Sequence, residues 1–416
     1  MERVILHSDI NCCYANIELL HHPELRESPV AVGGDVEARH GIILAKSELA
    51  KRAGVKTGMA LWQARDVCPA LIVLPPRYDL YIRFSRLVRQ IYGDYTDQIE
   101  SFGLDECWLD VSGSTHLFGD GERIAQAIRE RVKDELGITV SIGVAWNKVF
   151  AKLGSDMKKP DAVTVISRDN YKQKVWPLLA ADLLYVGPAT RKKLYDRCIY
   201  TIGDLARMDP QYLHDWFGKW GLVLSTFANG LDPSPVMQVG EEAAVKSVGN
   251  STTTPRDLVC DQDAKIIYYM LAESVAERMR EQGFLCRTVQ ISLRDNGLYS
   301  FERQMKLSQP TCLASELCDA AMRLLRQNYA WQKPLRSIGI RAADLVPAQA
   351  PAQLTLFEDE AERQRRERLE RIVDSIRYRF GHYAINRAIV TMDNTLNNIN
   401  PKDDHIIHPV GFFKAI

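Results

Sequence analysis

The feature that most constrains this chain is a pair of adjacent carboxylates between two strand-like runs. Asp105 and Glu106 lie between a run over 99–102 and a second over 106–111 that is apolar at alternate positions. Adjacent residues of a regular strand point to opposite faces, so the chain must bend for the two carboxylates to act together, and Gly103 eases that bend. Such a pair on a rigid hairpin suits hard divalent cations. A solvated acidic turn is the alternative for the pair taken alone.

A third carboxylate, Asp9, follows an apolar run at the N-terminal end of the sequence. Residues 4–6 are Val-Ile-Leu, and they lead into His7-Ser8-Asp9. A strand that delivers a carboxylate at its end is a common way of building a site on a sheet. Three acids on two strand ends could hold two Mg²⁺ ions, about 3.5–4 Å apart, that clamp the attacking and leaving oxygens of a phosphoryl transfer.

The composition is that of an ordinary globular protein, and the 416 residues suffice for several domains. No run of about eighteen apolar residues predicts a membrane span. The first residues lack the layout of a signal peptide, and the scattered cysteines favour reduced thiols. We therefore expect a cytoplasmic protein with no membrane partner. The net charge is zero, so any surface that binds nucleic acid must be basic only locally.

The segments His7–Glu18 and Gly103–Asp110 resemble the two catalytic motifs of Y-family DNA polymerases, and most closely those of the bacterial DNA polymerase IV (DinB) group. The resemblance runs from residue 1 to about residue 346. It implies an α+β multidomain chain of right-hand polymerase architecture, with a ferredoxin-like palm, fingers, a helix-hairpin-helix thumb and an α/β little finger. It also implies a template-directed, low-fidelity translesion DNA polymerase that adds deoxynucleotides to a primer 3′ end by two-metal phosphoryl transfer.

The order of the expected elements suggests where these domains begin and end. The expected domains are the palm (1–11 and 76–166), the fingers (12–75), the thumb (167–235), a linker (236–255), the little finger (256–346), and a tether with a clamp-binding motif and C-terminal tail (347–416). The order strand, inserted domain, helix, hairpin, helix, strand is compatible with a ferredoxin-like palm. The linker is expected because its sequence is polar and aperiodic.

The resemblance assigns the chemistry to residues near the hairpin. Asp9, Asp105 and Glu106 would be catalytic and, with the Ile10 carbonyl, would hold two Mg²⁺ ions per active site. Tyr14 would be the steric gate that blocks the 2′-hydroxyl of a ribonucleotide. The alternative for Tyr14 is a tyrosine packed in the core.

The incoming triphosphate would be bound by lysines and by the segment after Asp9. The expected triphosphate-binding residues are Cys13, Tyr14, Lys51 and Lys159. Lysines at the mouth of an acidic site neutralise phosphate charge, although a solvated lysine face is the alternative. The sequence departs from the family at Ala45, Glu48 and Lys51, where the commonest members carry Thr, Tyr and Arg. Lys51 can meet a phosphate only as a point charge, and Glu48 would repel one unless turned away.

Two loops in the thumb segment resemble loops that contact DNA phosphates. The expected DNA-binding residues are Gly187, Ala189, Arg191, Lys192 and Lys219. A helix-hairpin-helix aims backbone N–H groups at a phosphate without reading the sequence. Ala189 replaces the usual second glycine, and a plain helical turn is the alternative for each loop.

Residues 353–357 resemble the motif by which bacterial polymerases bind the sliding clamp. The expected anchors are Gln353, Leu354, Leu356 and Phe357, which follow a tether rich in Pro and Ala. The expected partners are thus primer–template DNA, deoxynucleoside triphosphates and the clamp, for a monomer that associates with the nucleoid when active. The Arg-rich segment 360–379 is expected to be a helix, either solvated or in contact with DNA or the clamp.

Two other functions stay open from the sequence. Another palm-type triphosphate enzyme, such as a nucleotide cyclase, would use the same acids, but it needs no grip on a duplex. A DNA- and clamp-binding protein that has lost catalysis would explain Ala45 and Glu48. The presence of all three carboxylates argues against that second alternative.

Overall fold

The computed structural model describes residues 3–34, 41–241, 244–349, 360–397 and 400–401. The chain forms two compact units, the first mainly Met1–Gly34 and Ile42–Glu242, the second mainly Ala243–His408. Among the helices of these described ranges, none is both long and apolar enough to cross a membrane.

The first unit contains two sheets and the helices that cover them. Its elements are β1 (Ile5–Ile10), α1 (Cys13–His21), β2 (Val30–Gly33), β3 (Ile43–Lys46), α2 (Glu48–Arg52), α3 (Leu61–Val67), β4 (Ile72–Leu74), α4 (Tyr78–Gly93), β5 (Ile99–Ser101), β6 (Glu106–Asp110), α5 (Thr115–Phe118), α6 (Gly121–Leu136), β7 (Val140–Ala145), α7 (Lys148–Met157), β8 (Val163–Val165), α8 (Tyr171–Lys174), α9 (Pro188–Tyr195), α10 (Ile202–Arg207), α11 (Pro210–Phe217) and α12 (Lys219–Ala228). The main sheet has the order β5-β6-β1-β7-β8, and the smaller one β3-β2-β4.

Strand β1 is the centre of the main sheet. It pairs antiparallel with β6 on one side and β7 on the other, and all six of its residues are buried. One face of the sheet packs against the apolar sides of α4 and α6, where Val88, Ile91 and Ile128 are buried. The opposite face packs against α7, whose Phe150 also contacts the core shared with α9 to α12. A strand buried on both faces holds its end rigidly, and Asp9 lies at that end.

The second unit is a four-stranded antiparallel sheet with helices on it. Its elements are β9 (Ser247–Leu258), α13 (Asp261–Glu281), β10 (Phe284–Asp295), β11 (Ser300–Thr311), α14 (Ala314–Asn328), β12 (Leu335–Pro347) and α15 (Glu360–Phe380). The strand order is β11-β10-β12-β9. Helices α13 and α14 pack on the sheet around a core that includes Leu271, Leu317 and Ile340.

The prediction of a linker over 236–255 is wrong in its second half, because β9 begins at Ser247. The side chains of Asn250, Thr252 and Thr254 are buried at alternate positions of that strand. The strand therefore has the period-two burial of a half-buried strand but carries it on polar residues, and a hydropathy pattern does not detect that.

The assignment of everything after residue 347 to a tether and tail is also wrong, for residues 360–397. Arg280 of α13 is buried and pairs with Glu370 at 2.7 Å and Asp374 at 2.7 Å, while Arg377 pairs with Glu273 at 2.8 Å. Beyond the helix, residues 390 and 396 are buried in the core of the second unit. Helix α15 has no apolar stripe in its sequence because its inward side is charged, and a charged helix resembles a solvated one.

Candidate active site

The three acids lie at one end of the β1–β6 pair. Asp9 and Glu106 are partners in the antiparallel register, and the Ile10 amide donates to the Asp105 carbonyl at 2.9 Å. Gly103 has a φ of +94°, which an L side chain rarely adopts, so the hairpin bend depends on glycine there. The structure thus brings the Asp9 strand end and the Asp105–Glu106 bend side by side.

The carboxylates are partly or largely buried, and their charges are strongly coupled. Burial raises the pKa of Asp9 to about 6, with contributions from the charges of Glu106 and Asp105, although Lys159 acts in the opposite direction. Burial and then the charge of Glu106 likewise raise the pKa of Asp105. Burial also disfavours ionised Glu106, but His7 and Lys152 outweigh it and lower the pKa of Glu106 to about 2. An acidic site of this kind has a strong need for cations.

Two lysines from α7 and the loop after it supply positive charge. The Lys159 ammonium donates to Asp9 at 2.8 Å and also lies 2.8 Å from Asp156. The Lys152 ammonium donates to the Glu106 carboxylate. A role for Lys159 is expected from the sequence, whereas Lys152 is a further lysine that only the structure places beside the acids.

Carboxylate oxygens are the ligands that Mg²⁺ prefers, and three partly buried acids with mutual repulsion fit a divalent cation by charge and ligand type. Within the described ranges, no three His, Cys, Asp or Glu side chains are arranged closely enough to hold a metal ion. Glu106 and Asp9 instead point their oxygens at the two lysines.

Tyr14 belongs to a cluster of aromatic rings beside the acids. Its ring is half-buried and stacks on Tyr81, with centroids 4.3 Å apart and an interplanar angle of 9°, and it meets Tyr78 edge-on. The Tyr81 hydroxyl donates to the buried Glu18 carboxylate at 2.6 Å. The Cys13 thiol is buried in the core of the main sheet, which leaves the backbone of that residue as the group available to a phosphate.

Glu48 and Lys51, two of the residues at which the expected triphosphate pocket departs from the family, pair with each other. The Lys51 ammonium lies 3.6 Å from the Glu48 carboxylate, and Arg52 lies 4.0 Å from it. Ser47 caps this short helix by accepting from the Ala50 amide. Glu48 is thus turned toward neighbouring cations of its own helix.

The expected DNA-binding residues of the thumb segment are all exposed. Gly187 is the N-cap of α9 and Pro188 its first residue, while Arg191 stacks its guanidinium over Tyr195 at 5.1 Å. Lys219 begins α12 directly after Gly218, whose φ is +63°. The four expected clamp anchors at 353–357 lie outside the described residues.

Known proteins resemble this chain over most of its length. The impB/mucB/samB family matches residues 8–156, and the C-terminal domain of that family matches residues 245–356. DNA polymerase IV of Acetivibrio thermocellus is 52% identical over 96% of this chain and 100% of its own length. DNA polymerase IV of Pelotomaculum thermopropionicum is 41% identical over 92% of this chain and 94% of its own length.

A solved Y-family DNA polymerase chimera superposes with a TM-score of 0.72 at 22% identity, covering 83% of this chain and 99% of its own. This likeness and the mixed sheets and helices confirm the predicted α+β polymerase fold. More than half of the residues are identical to those of a named relative over nearly the full chain. Together with the two family matches, this identity shows the family as well. The chain belongs to the impB/mucB/samB family and, within it, to the DNA polymerase IV (DinB) group of Y-family DNA polymerases.

Proposed function

We propose that this Y-family translesion polymerase uses Asp9, Asp105 and Glu106 to hold two Mg²⁺ ions while it adds deoxynucleotides to a primer. The observation that supports the proposal is that three partly or largely buried acids lie at one end of the β1–β6 pair, where lysines pair with Asp9 and Glu106. Mg²⁺ bound there would activate the primer 3′-hydroxyl and stabilise the pyrophosphate leaving group.

The residues of the chain would act around that chemistry by binding and neutralising charge. The Ile10 carbonyl would add an oxygen ligand beside the three acids. The Lys159 ammonium would leave Asp9 and pair with the phosphates of the incoming nucleotide. A lysine is suited to this change of partner because its single charge is carried by a flexible side chain. Lys51 and the backbone of Cys13 would complete the triphosphate contacts. In the thumb segment, the N–H groups at Gly187 and Ala189, with Arg191, Lys192 and Lys219, would hold DNA phosphates.

Primer extension tests this function directly. The full chain is incubated with a primed template, all four deoxynucleotides and Mg²⁺, with and without excess chelator. We expect extension that follows the template, stops in chelator and resumes when Mg²⁺ is restored. No extension together with tight primer–template binding would favour the alternative of a DNA- and clamp-binding protein without catalysis. A cyclic nucleotide product formed without DNA would favour the cyclase.

Replacing Tyr14 with alanine should raise incorporation of ribonucleotides about 10- to 100-fold relative to deoxynucleotides, because the ring that would meet the 2′-hydroxyl is gone. A steric clash in a packed site costs roughly 1–3 kcal/mol. The measurement is the ratio of kcat/KM for the two sugars. Tyr14→Phe is the matched control, since it keeps the ring stacked on Tyr81, and it should leave the ratio unchanged. An unchanged kcat/KM ratio in Tyr14→Ala would contradict the assignment of Tyr14 as the steric gate.

A peptide spanning Gln353–Phe357 should bind a bacterial sliding clamp, because a glutamine and spaced apolar anchors fit a hydrophobic cleft. Fluorescence anisotropy of the labelled peptide would measure the affinity, expected in the micromolar range or tighter. A peptide with Leu356 and Phe357 replaced by alanine is the control. Equal binding of the two peptides, or none at high micromolar concentration, would contradict a clamp role.

We further propose that the protein is a monomer in the bacterial cytosol and that it joins the nucleoid when active.

A further inference from the structure

His7 lies behind Glu106 in the interior of the protein. Its imidazole is fully buried and packs edge-on against Trp108, with ring centroids 5.1 Å apart. The Nε2 atom is 3.1 Å from a Glu106 carboxylate oxygen, and Nδ1 is 2.8 Å from the Ser155 hydroxyl on α7. Nδ1 is thus hydrogen-bonded, whereas Nε2 is a buried donor or acceptor that closely approaches the Glu106 carboxylate without the alignment of a hydrogen bond.

The carboxylate determines how the protons are arranged. Ionised Glu106 can only accept, so a favourable contact requires the proton on Nε2. In the neutral ring Nδ1 is then a hydrogen-bond acceptor, to which the Ser155 hydroxyl can donate. The Lys152 carbonyl, 2.8 Å from the same hydroxyl, is a second acceptor within reach. Ser155, His7 and Glu106 thus form a line that ends at the proposed metal ligand.

Lys152 also contacts Glu106, and its ammonium donates a hydrogen bond to the carboxylate, but its side chain is less confined than the fully buried ring of His7. A lysine carries its charge on four flexible carbons, and this one is partly open to solvent. When a cation or a phosphate enters, Lys152 can turn away. His7 cannot, because its ring is fully buried against Trp108 and contacts Ser155 of α7. The constraint on Glu106 that persists through the reaction is therefore the one from His7.

We propose that His7 is a positioning residue for the polymerase reaction: its imidazole fixes the Glu106 carboxylate in the orientation in which it shares a metal ion with Asp9 and Asp105. The inference rests on the proposed function, because it takes these three acids as the metal ligands. The residue acts through Glu106 and touches neither substrate nor metal. Groups that orient a metal ligand in this way change metal affinity or activity about 10- to 100-fold when they are removed.

The test compares two replacements of His7. His7→Phe keeps an aromatic ring against Trp108 but loses both polar contacts, whereas the amide of His7→Gln can still donate to Glu106. Mn²⁺ binding is measured by electron paramagnetic resonance in the complex of full chain, deoxynucleotide and a primer that ends in a 3′-dideoxynucleotide, so that no reaction occurs. His7→Phe should weaken Mn²⁺ binding about 10- to 100-fold. It should lower kcat with little change in the KM for deoxynucleotide, and His7→Gln should recover most of both losses.

The control is Tyr92→Phe, which removes a buried hydroxyl that donates to Ser8 at 2.7 Å on the opposite face of β1. It should bind Mn²⁺ like the wild type. Wild-type Mn²⁺ binding and kcat in His7→Phe would overturn the proposal, as would equal losses in His7→Phe and Tyr92→Phe. If His7→Phe does not fold, Ser155→Ala decides: weaker Mn²⁺ binding supports the role and unchanged binding overturns it. Wild-type extension by Glu106→Ala would instead show that the proposed function has failed.

Discussion

Replacing Asp105 with alanine should slow primer extension about 10³-fold and leave the fold and primer–template binding intact. The size follows from the loss of a proposed metal ligand, because the cation that would stabilise the developing negative charge would no longer be held in place, and removing one such stabilising contribution costs about 10²–10³ in kcat. Asp105 lies at the bend before β6, beside the Asp9 strand end, and burial raises its pKa because the ionised form lacks solvation there. Alanine removes a carboxylate whose ionised form is poorly solvated, so the free energy of unfolding should not fall.

The measurement is single-turnover extension by rapid quench, with primer–template affinity determined in parallel by anisotropy. Asp110→Asn is the matched control, because Asp110 is a carboxylate of the same strand that accepts from the Ser112 amide at 3.0 Å and takes no part in the proposed site. Its rate should stay within about twofold of the wild type, a difference of less than 0.5 kcal/mol in the barrier. A rate for Asp105→Ala within tenfold of the wild type would mean that the metal site lies elsewhere.

Much of the first unit could be predicted because its burial pattern is apolar. The amphipathic pattern of residues 122–136 predicts a helix, and α6 covers Gly121–Leu136 with Asp120 as its cap and Gly137 in a left-handed conformation after it. The second unit was harder. Strand β9 buries threonine and asparagine, and α15 docks through ion pairs, so both elements look polar in the sequence although they are built into the unit.

The candidate site shows the same division. Its acids could be predicted, because strand ends and a glycine bend are local features of the sequence. Their partners could not, because the His7–Ser155 contact spans 148 positions and the Lys159–Asp9 contact spans 150. No local periodicity of the sequence predicts which side chain of α7 will face which strand. That information is in the packing of α7 on the sheet, which depends on small residues at the crossing.

Replacing Gly143 with alanine should therefore damage both the fold and the site. A Cβ built on Gly143 of β7 would lie 1.9 Å from the Ala151 carbonyl oxygen and 2.5 Å from the Ser155 amide nitrogen, both backbone atoms of α7. Backbone cannot rotate away as a side chain can, so the whole helix must move off the sheet. Overpacking of this kind costs about 3 kcal/mol. The displaced helix would also carry Lys152 and Ser155 away from Glu106 and His7.

Chemical denaturation monitored by the fluorescence of the full chain would measure the change in the unfolding midpoint, with extension rates taken on the folded protein. Gly93→Ala is the matched control, since nothing lies within 4 Å of a Cβ at that helical position. Alanine is the better helix former by about 1 kcal/mol, so this control should be neutral or slightly stabilising. Equal midpoints for the two variants would show that α7 does not depend on a close approach at Gly143. A stability loss in Gly143→Ala with an unchanged extension rate would separate the packing of α7 from the geometry of the acids.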